Sequence, residues 1–166
     1  QPYVADYLVT ATFQHFISLF EDFFFDLLRL WLSAYPKSLE KRQVDFKTVL
    51  DAGDKHAITR AVVDKELNEL KYKKLEDWFE YAEGLVSLGC PTAAEIETLA
   101  EIKASRDILV HNKGIANTIY AAKAGKSARY TDGETLEVPE NYHRESWEMI
   151  TKIVRDVSEA AAKKAK

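Results

Sequence analysis

The sequence holds one cysteine, four prolines and six glycines in 166 residues, and each scarcity excludes something. Cys90 alone cannot form an internal disulfide, and a lone free thiol is the pattern of a reducing compartment, so the expected location is the cytoplasm. No run of eighteen apolar residues is present to span a membrane, and no membrane partner is expected. The four histidines (His15, His56, His111, His143) are scattered, and neither Cys-x-x-Cys, His-Glu-x-x-His nor a calcium-loop spacing occurs; no metal site is expected. Glycine-rich phosphate loops are missing as well, which leaves no nucleotide cofactor to predict. As a nucleophile Cys90 lacks a histidine nearby in sequence and is followed by Pro91.

What is present suits a globular protein: 46% hydrophobic and 30% charged residues, in a length able to bury about two-thirds of its unfolded surface without staples. Residues 1–166 read as a single domain. No secretory pattern is found, and because the chain opens on Gln1 rather than Met the expectation is a domain excised from a longer protein. A net charge of −4 disfavours a protein that coats nucleic acid but leaves room for a small local site.

Helical periodicity dominates. Phe13, Phe16, Ile17, Phe20, Phe24, Leu27, Leu28 and Trp31 follow the three-then-four spacing of one broad helical face, ended by Pro36. On that helix Glu21 falls at the edge of the apolar stripe, while Asp26 lies well off it. Glu21 is either a solvated boundary residue or the partner of a buried or interfacial arginine. A connector with a short helix through Val44 to Leu50 comes next, then a turn at Gly53 with Asp54 as a new cap. The spacing predicts a helix from Lys55 to Tyr72 with Ile58, Val62, Leu67 and Leu70 inside, a break near Tyr72, and a helix through Trp78 and Phe79 capped at Gly89. Thr92 and Glu95 have capping-box spacing, ahead of Ile96, Leu99 and Ile102. Residues 123–141 read as a loop or irregular hairpin, with Tyr130 and Leu136 on short strands. A last helix carries Trp147, Ile150, Val154 and Val157 and frays into a basic end. The fold class is therefore an all-α bundle of about five to six helices with an irregular loop before the last.

The helix that opens at Thr92 runs into Arg106-Asp107-Ile108-Leu109-Val110-His111-Asn112-Lys113-Gly114, where the glycine lets the backbone turn. Extending its apolar stripe reaches Arg106, and an arginine there must be paired or lie at an interface. Histidine can give and take a proton near neutral pH, and arginine offers a planar fork for phosphate oxygens. Together they suffice for one metal-free reaction, cleavage of RNA by its own 2′-hydroxyl. Yet five steps of about 100° put His111 roughly 140° around the helix from Arg106. The two converge only if the helix ends near Val110 or if the partner histidine comes from a second chain. Taken alone, His111 also suits a helix-end histidine that interacts with the dipole.

On these residues the chain resembles the HEPN superfamily and, within it, the bacterial group labelled RiboL-PSP-HEPN. The shared hallmark is arginine, a polar residue, a short spacer and histidine, here Arg106, Asp107 and His111, within the longer Glu101 to Ile115 pattern. The likeness extends over most of the chain: Phe16 to Glu21, then Asp26-Leu27-Leu28 before Pro36, resemble the group's first helix, and Gly133 to Tyr142 its linker into the last one. The resemblance implies a homodimeric all-α protein whose two Arg-to-His motifs meet as a composite, metal-independent endoribonuclease site. It implies roles in phage defence, toxin–antitoxin systems or RNA processing, with RNA as substrate and an antitoxin or other protein as a further partner. By position, Arg106 stabilises the phosphate and His111 is the general acid or base. Asn112 and Lys113 are supporting contacts held by the Gly114 turn. Where the group frequently has asparagine, this chain has Asp107, which either repels substrate phosphate or fixes Arg106 by a salt bridge. The alternatives are a non-catalytic helical module that binds RNA, a nucleotide or a protein at the same corner, and a dimerisation domain.

Overall fold

The computed structural model describes residues 2–165, with side chains from residue 4 onward. Seven α-helices and two short 3-10 turns make up its regular structure: α1 (Pro2–Ala34), α2 (Phe46–Asp51), α3 (Lys55–Lys71), α4 (Leu75–Val86), α5 (Ala93–His111), α6 (Thr118–Ala124) and α7 (Glu140–Lys164). The protein is all-α; α2 answers to the short helix expected through Val44 to Leu50, and the short α6 takes the count among the described residues one beyond the expected five to six. Asp45 accepts from the Thr48 amide at 2.9 Å to start α2, and Asn117 accepts from the Tyr120 amide at 2.9 Å to start α6. Among the described residues no helix is long and apolar enough to cross a membrane.

The chain divides into two compact units. One takes α1 up to Glu21 and everything from Lys74 on; the other is Asp22–Lys73. In the smaller unit, Phe24, Phe25, Leu28 and Leu32 of α1 are buried, as are Val63, Leu67 and Leu70 of α3. The inner position on α3 is Val63 rather than the predicted Val62, which is only half-buried. Adjacent β-branched residues look alike in sequence, and the helix start one residue after Asp54 decides which of them turns inward.

In the larger unit α5 is the central strut, packed by α4, α6, α7 and the 3-10 turn Gly125–Ser127. Its stretch from Leu99 to Ile108 is buried on several faces, which is why Glu101 and Ser105 are as covered as Leu99 and Ile102. The Thr92–Glu95 capping box forms as predicted, with the Glu95 side chain accepting the Thr92 amide at 2.8 Å. Helix α4 stops at Val86, and its left-handed cap is Ser87 (φ 55°) rather than Gly89. Residues 128–138 form no strand: a single antiparallel bridge joins Ile115 and Thr135, and Leu136 is buried against Ile108, Ala116 and Tyr120. On α7 the inward residues are Ile150, Ile153, Val157 and Ala161, so Trp147 lies half-exposed beside Phe16 and the helix stays regular to Lys164 instead of fraying. Ala161 anchors that last turn.

Candidate functional site

Arg106 leaves α5 on its apolar side, and its side chain is 12% exposed. A guanidinium so covered needs anions, and it has two. Its Nη2 donates to Oε2 of Glu21 on α1, and its Nη1 donates to Oδ1 of Asp107 at 3.1 Å. The pairing alternative for Glu21 is therefore the one realised. Lys103, one turn back on α5, bridges the same two acids at 3.1 Å each and lies 5.4 Å from the Trp78 ring centroid. Lys123 of α6 completes the group by donating to Asp107 Oδ2 at 3.1 Å, with about half of its side chain in solvent. Three cations and two carboxylates leave one net positive charge. Arg106 Nε is buried without a hydrogen-bond partner among the described residues.

Asp107 is the hub. Burial alone raises its carboxyl, but the Lys103 charge, the hydrogen bond and charge of Lys123, and Arg106 together hold it below the usual carboxylate range. Asp107 is thus an anion that fixes Arg106. This is the salt-bridge alternative for the residue that follows the arginine.

His111 is the last residue of α5 and is exposed, and its ring has no hydrogen bond or ion pair among the described residues. The helix ends one residue past Val110, as expected, but His111 itself is still helical, with the Asn112 amide donating to Ile108 O at 2.9 Å. Within one chain Arg106 and His111 consequently diverge, by roughly 140° on the helix. The corner then turns tightly. Lys113 (φ 54°) and Gly114 (φ 76°) are both left-handed, Gly114 N donates back to Ile108 O at 3.1 Å, and Asn112 Nδ2 donates to Ile115 O at 2.5 Å. Asn112 therefore holds the turn. Lys113 is exposed, and the Gly114 carbonyl accepts from Leu136 N at 2.7 Å. Val110, Ile115 and Ile119 surround this end of α5 as exposed apolar side chains.

A second polar centre lies on the same helix and escapes the sequence reading. Glu101, only 3% exposed, accepts four side-chain hydrogen bonds: from Ser105 Oγ at 2.6 Å, Tyr120 Oη at 2.9 Å, Arg129 Nε at 3.0 Å and Tyr142 Oη at 2.8 Å. The Arg129 guanidinium stacks 3.4 Å from the Tyr142 ring centroid. Burial, then the Glu101 charge, pushes the Tyr142 phenol far above its ordinary value. A buried carboxylate with this many donors is fully satisfied and acts as a clamp that holds residues 120–142 against α5. The signal available in the sequence was the set of donors Tyr120, Arg129 and Tyr142 in the stretch that follows α5. Cys90 is no nucleophile candidate: burial and the nearby carboxylates of Asp156, Glu83 and Glu95 raise its thiol.

Comparison of the chain with protein-family models, with curated protein sequences and with solved structures returned no match.

Proposed function

We propose that the chain is a metal-independent endoribonuclease of the HEPN kind, acting as a cytoplasmic homodimer in which the α5 ends of two copies share one RNA phosphate. The observation that carries this reading is the contrast on α5 between an arginine anchored by two carboxylates and a histidine left exposed and unengaged beyond it. An arginine so held is preorganised to meet charge rather than to wander, and an unengaged imidazole is free to move protons. Because the two diverge along one helix, the histidine that serves a phosphate near Arg106 comes from the second copy.

The chemistry balances without a metal. One His111 removes the 2′-hydroxyl proton, the 2′-oxygen bonds to phosphorus, the bond to the 5′-oxygen breaks, and a protonated His111 returns a proton to that leaving oxygen. Arg106, with Lys123 at the rim, faces the crowded phosphorane. The products are a 2′,3′-cyclic phosphate and a 5′-hydroxyl. Asn112 and Gly114 keep the turn, and Lys113 offers a further phosphate contact. Such an activity suits phage defence, a toxin silenced by an antitoxin, or RNA processing.

The test is cleavage of single-stranded RNA in EDTA, with the ends identified. Wild-type protein cuts and leaves cyclic phosphates, and His111→Ala, folded by circular dichroism, does not. Cleavage that persists in the variant removes the assignment.

A second reading has its own support. Arg106 is nearly covered, and Val110, Ile115 and Ile119 are exposed apolar residues beside His111. A non-catalytic dimerisation or binding module uses such a corner as a contact face. Tight RNA binding or stable pairing without cleavage decides for it.

A further inference from the structure

The opposite end of α5 carries a feature that RNA chemistry does not use. Between α4 and the start of α5 lies a cavity of about 570 Å³, in the size range of binding sites, with Phe79 and Ile96 among its apolar lining. Glu76, Glu80 and Glu83 from α4 and Glu97 from α5 line it as well, and no lysine or arginine does. The three glutamates of α4 are spaced by four and then three residues, so they form one stripe along the helix.

Four carboxylates of the same unit that α1 and α5 carry are compensated. Glu21, Glu95, Glu101 and Asp107 each have a cationic partner. Glu76, Glu80 and Glu97 have none among the described residues, and Glu83 is engaged only by the Gly89 amide at 2.9 Å. An apolar hollow edged by uncompensated negative charge repels nucleic acid and a further anion alike. It is complementary to a surface that combines apolar side chains with cations.

We infer that this groove docks a basic amphipathic helix of a protein partner, its apolar stripe over Phe79 and Ile96 and its lysines or arginines, spaced by three and four residues, against the glutamate stripe of α4. Helix-in-groove recognition of this kind needs an apolar seat and a matching charge register; Phe79 of α4 with Ala93 and Ile96 of α5 supply the first, and the glutamates of α4 the second. The lone thiol, Cys90, lines the same groove and serves as a reporter.

The probe is a synthetic amphipathic peptide of leucine and lysine at helical spacing, with its leucine–glutamine counterpart as control, titrated against the whole chain while Cys90 alkylation is timed. The lysine peptide binds, binds less well as salt rises, and slows alkylation; the glutamine peptide does neither. The combined variant Glu76→Gln, Glu80→Gln, Glu97→Gln weakens binding about tenfold or more. The variant Glu145→Gln, Glu148→Gln, Glu159→Gln, at exposed positions of α7, leaves it unchanged. Circular dichroism establishes that both variants fold. Equal weakening by the two variants, binding without protection of Cys90, or absence of binding overturns the inference. So does self-association of the chain that the first variant abolishes, since a second copy is then the occupant.

Discussion

Arg106 and Glu21, 85 residues apart in sequence, form an ion pair that ties the centre of α5 to α1 within a single compact unit. Both side chains are almost covered, and Lys103 reaches the same carboxylate. A pair so placed couples energetically, because each charge is costly when the other is removed. Substituting Glu21→Gln and Arg106→Gln singly and together in a urea-unfolding cycle gives a coupling of about 1–3 kcal/mol. A value near zero means that solvent already screens the pair.

Asp107 sets a pH dependence with a definite sign. Its folded carboxyl lies below the ordinary 3.8, so its contribution to stability is complete above that value and is lost as pH falls through the folded value. Asp107→Asn is expected to remove a component of acid unfolding below pH 3.8 seen in the wild type, read from melting temperature against pH. The same substitution removes one of the two carboxylates that hold Arg106, and RNA binding at neutral pH tightens. Unchanged or weaker binding means that the hold of Asp107 on Arg106 outweighs its repulsion of phosphate.

Tyr142 works in the opposite direction. Its phenol is raised from 10.0, so the folded protein keeps a proton that the unfolded chain releases, and stability falls as pH rises above 10. Tyr142→Phe removes one donor to the Glu101 carboxylate and costs about 1.5–3 kcal/mol at neutral pH. It also flattens the alkaline loss, in part only, since burial raises Tyr120 too. Denaturation series at neutral and alkaline pH measure both effects.

Gly114 is a backbone requirement rather than a packing one. A Cβ added there meets Leu109 Cδ2 at 3.6 Å and Leu136 O at 3.7 Å, which are ordinary contacts, but φ is 76°. Gly114→Ala costs about 1–2 kcal/mol from the left-handed conformation alone. Differential scanning calorimetry checks it.

How much of this was legible beforehand follows from the kind of signal each residue gives. The capping box at Thr92 and the N-cap at Asp54 were readable because their oxygens act on amides three residues away. Arg106 announced its need of an anion by lying on an apolar stripe, and Glu21 on the edge of another stripe was its natural partner. Glu101 gave no such warning: the stripe through Ile96, Leu99 and Ile102 described one face of α5, whereas α5 is buried on several. Its donors, Tyr120, Arg129 and Tyr142, come from a loop without periodicity. Trp147 and Val154 were placed with Ile150 and Val157 by helical period, but Ile153 is the residue that tertiary packing turns inward.

The composite site is the central claim, and mixing variants tests it most directly. Arg106→Ala and His111→Ala copies, each prepared alone, are expected to be silent on RNA in EDTA. Mixed, unfolded and refolded together, they form pairs in which one copy supplies His111 and the other Arg106, and cleavage reappears at a fraction of the wild-type rate. A mixture that contains such pairs by native mass spectrometry and remains as silent as its parts contradicts the account.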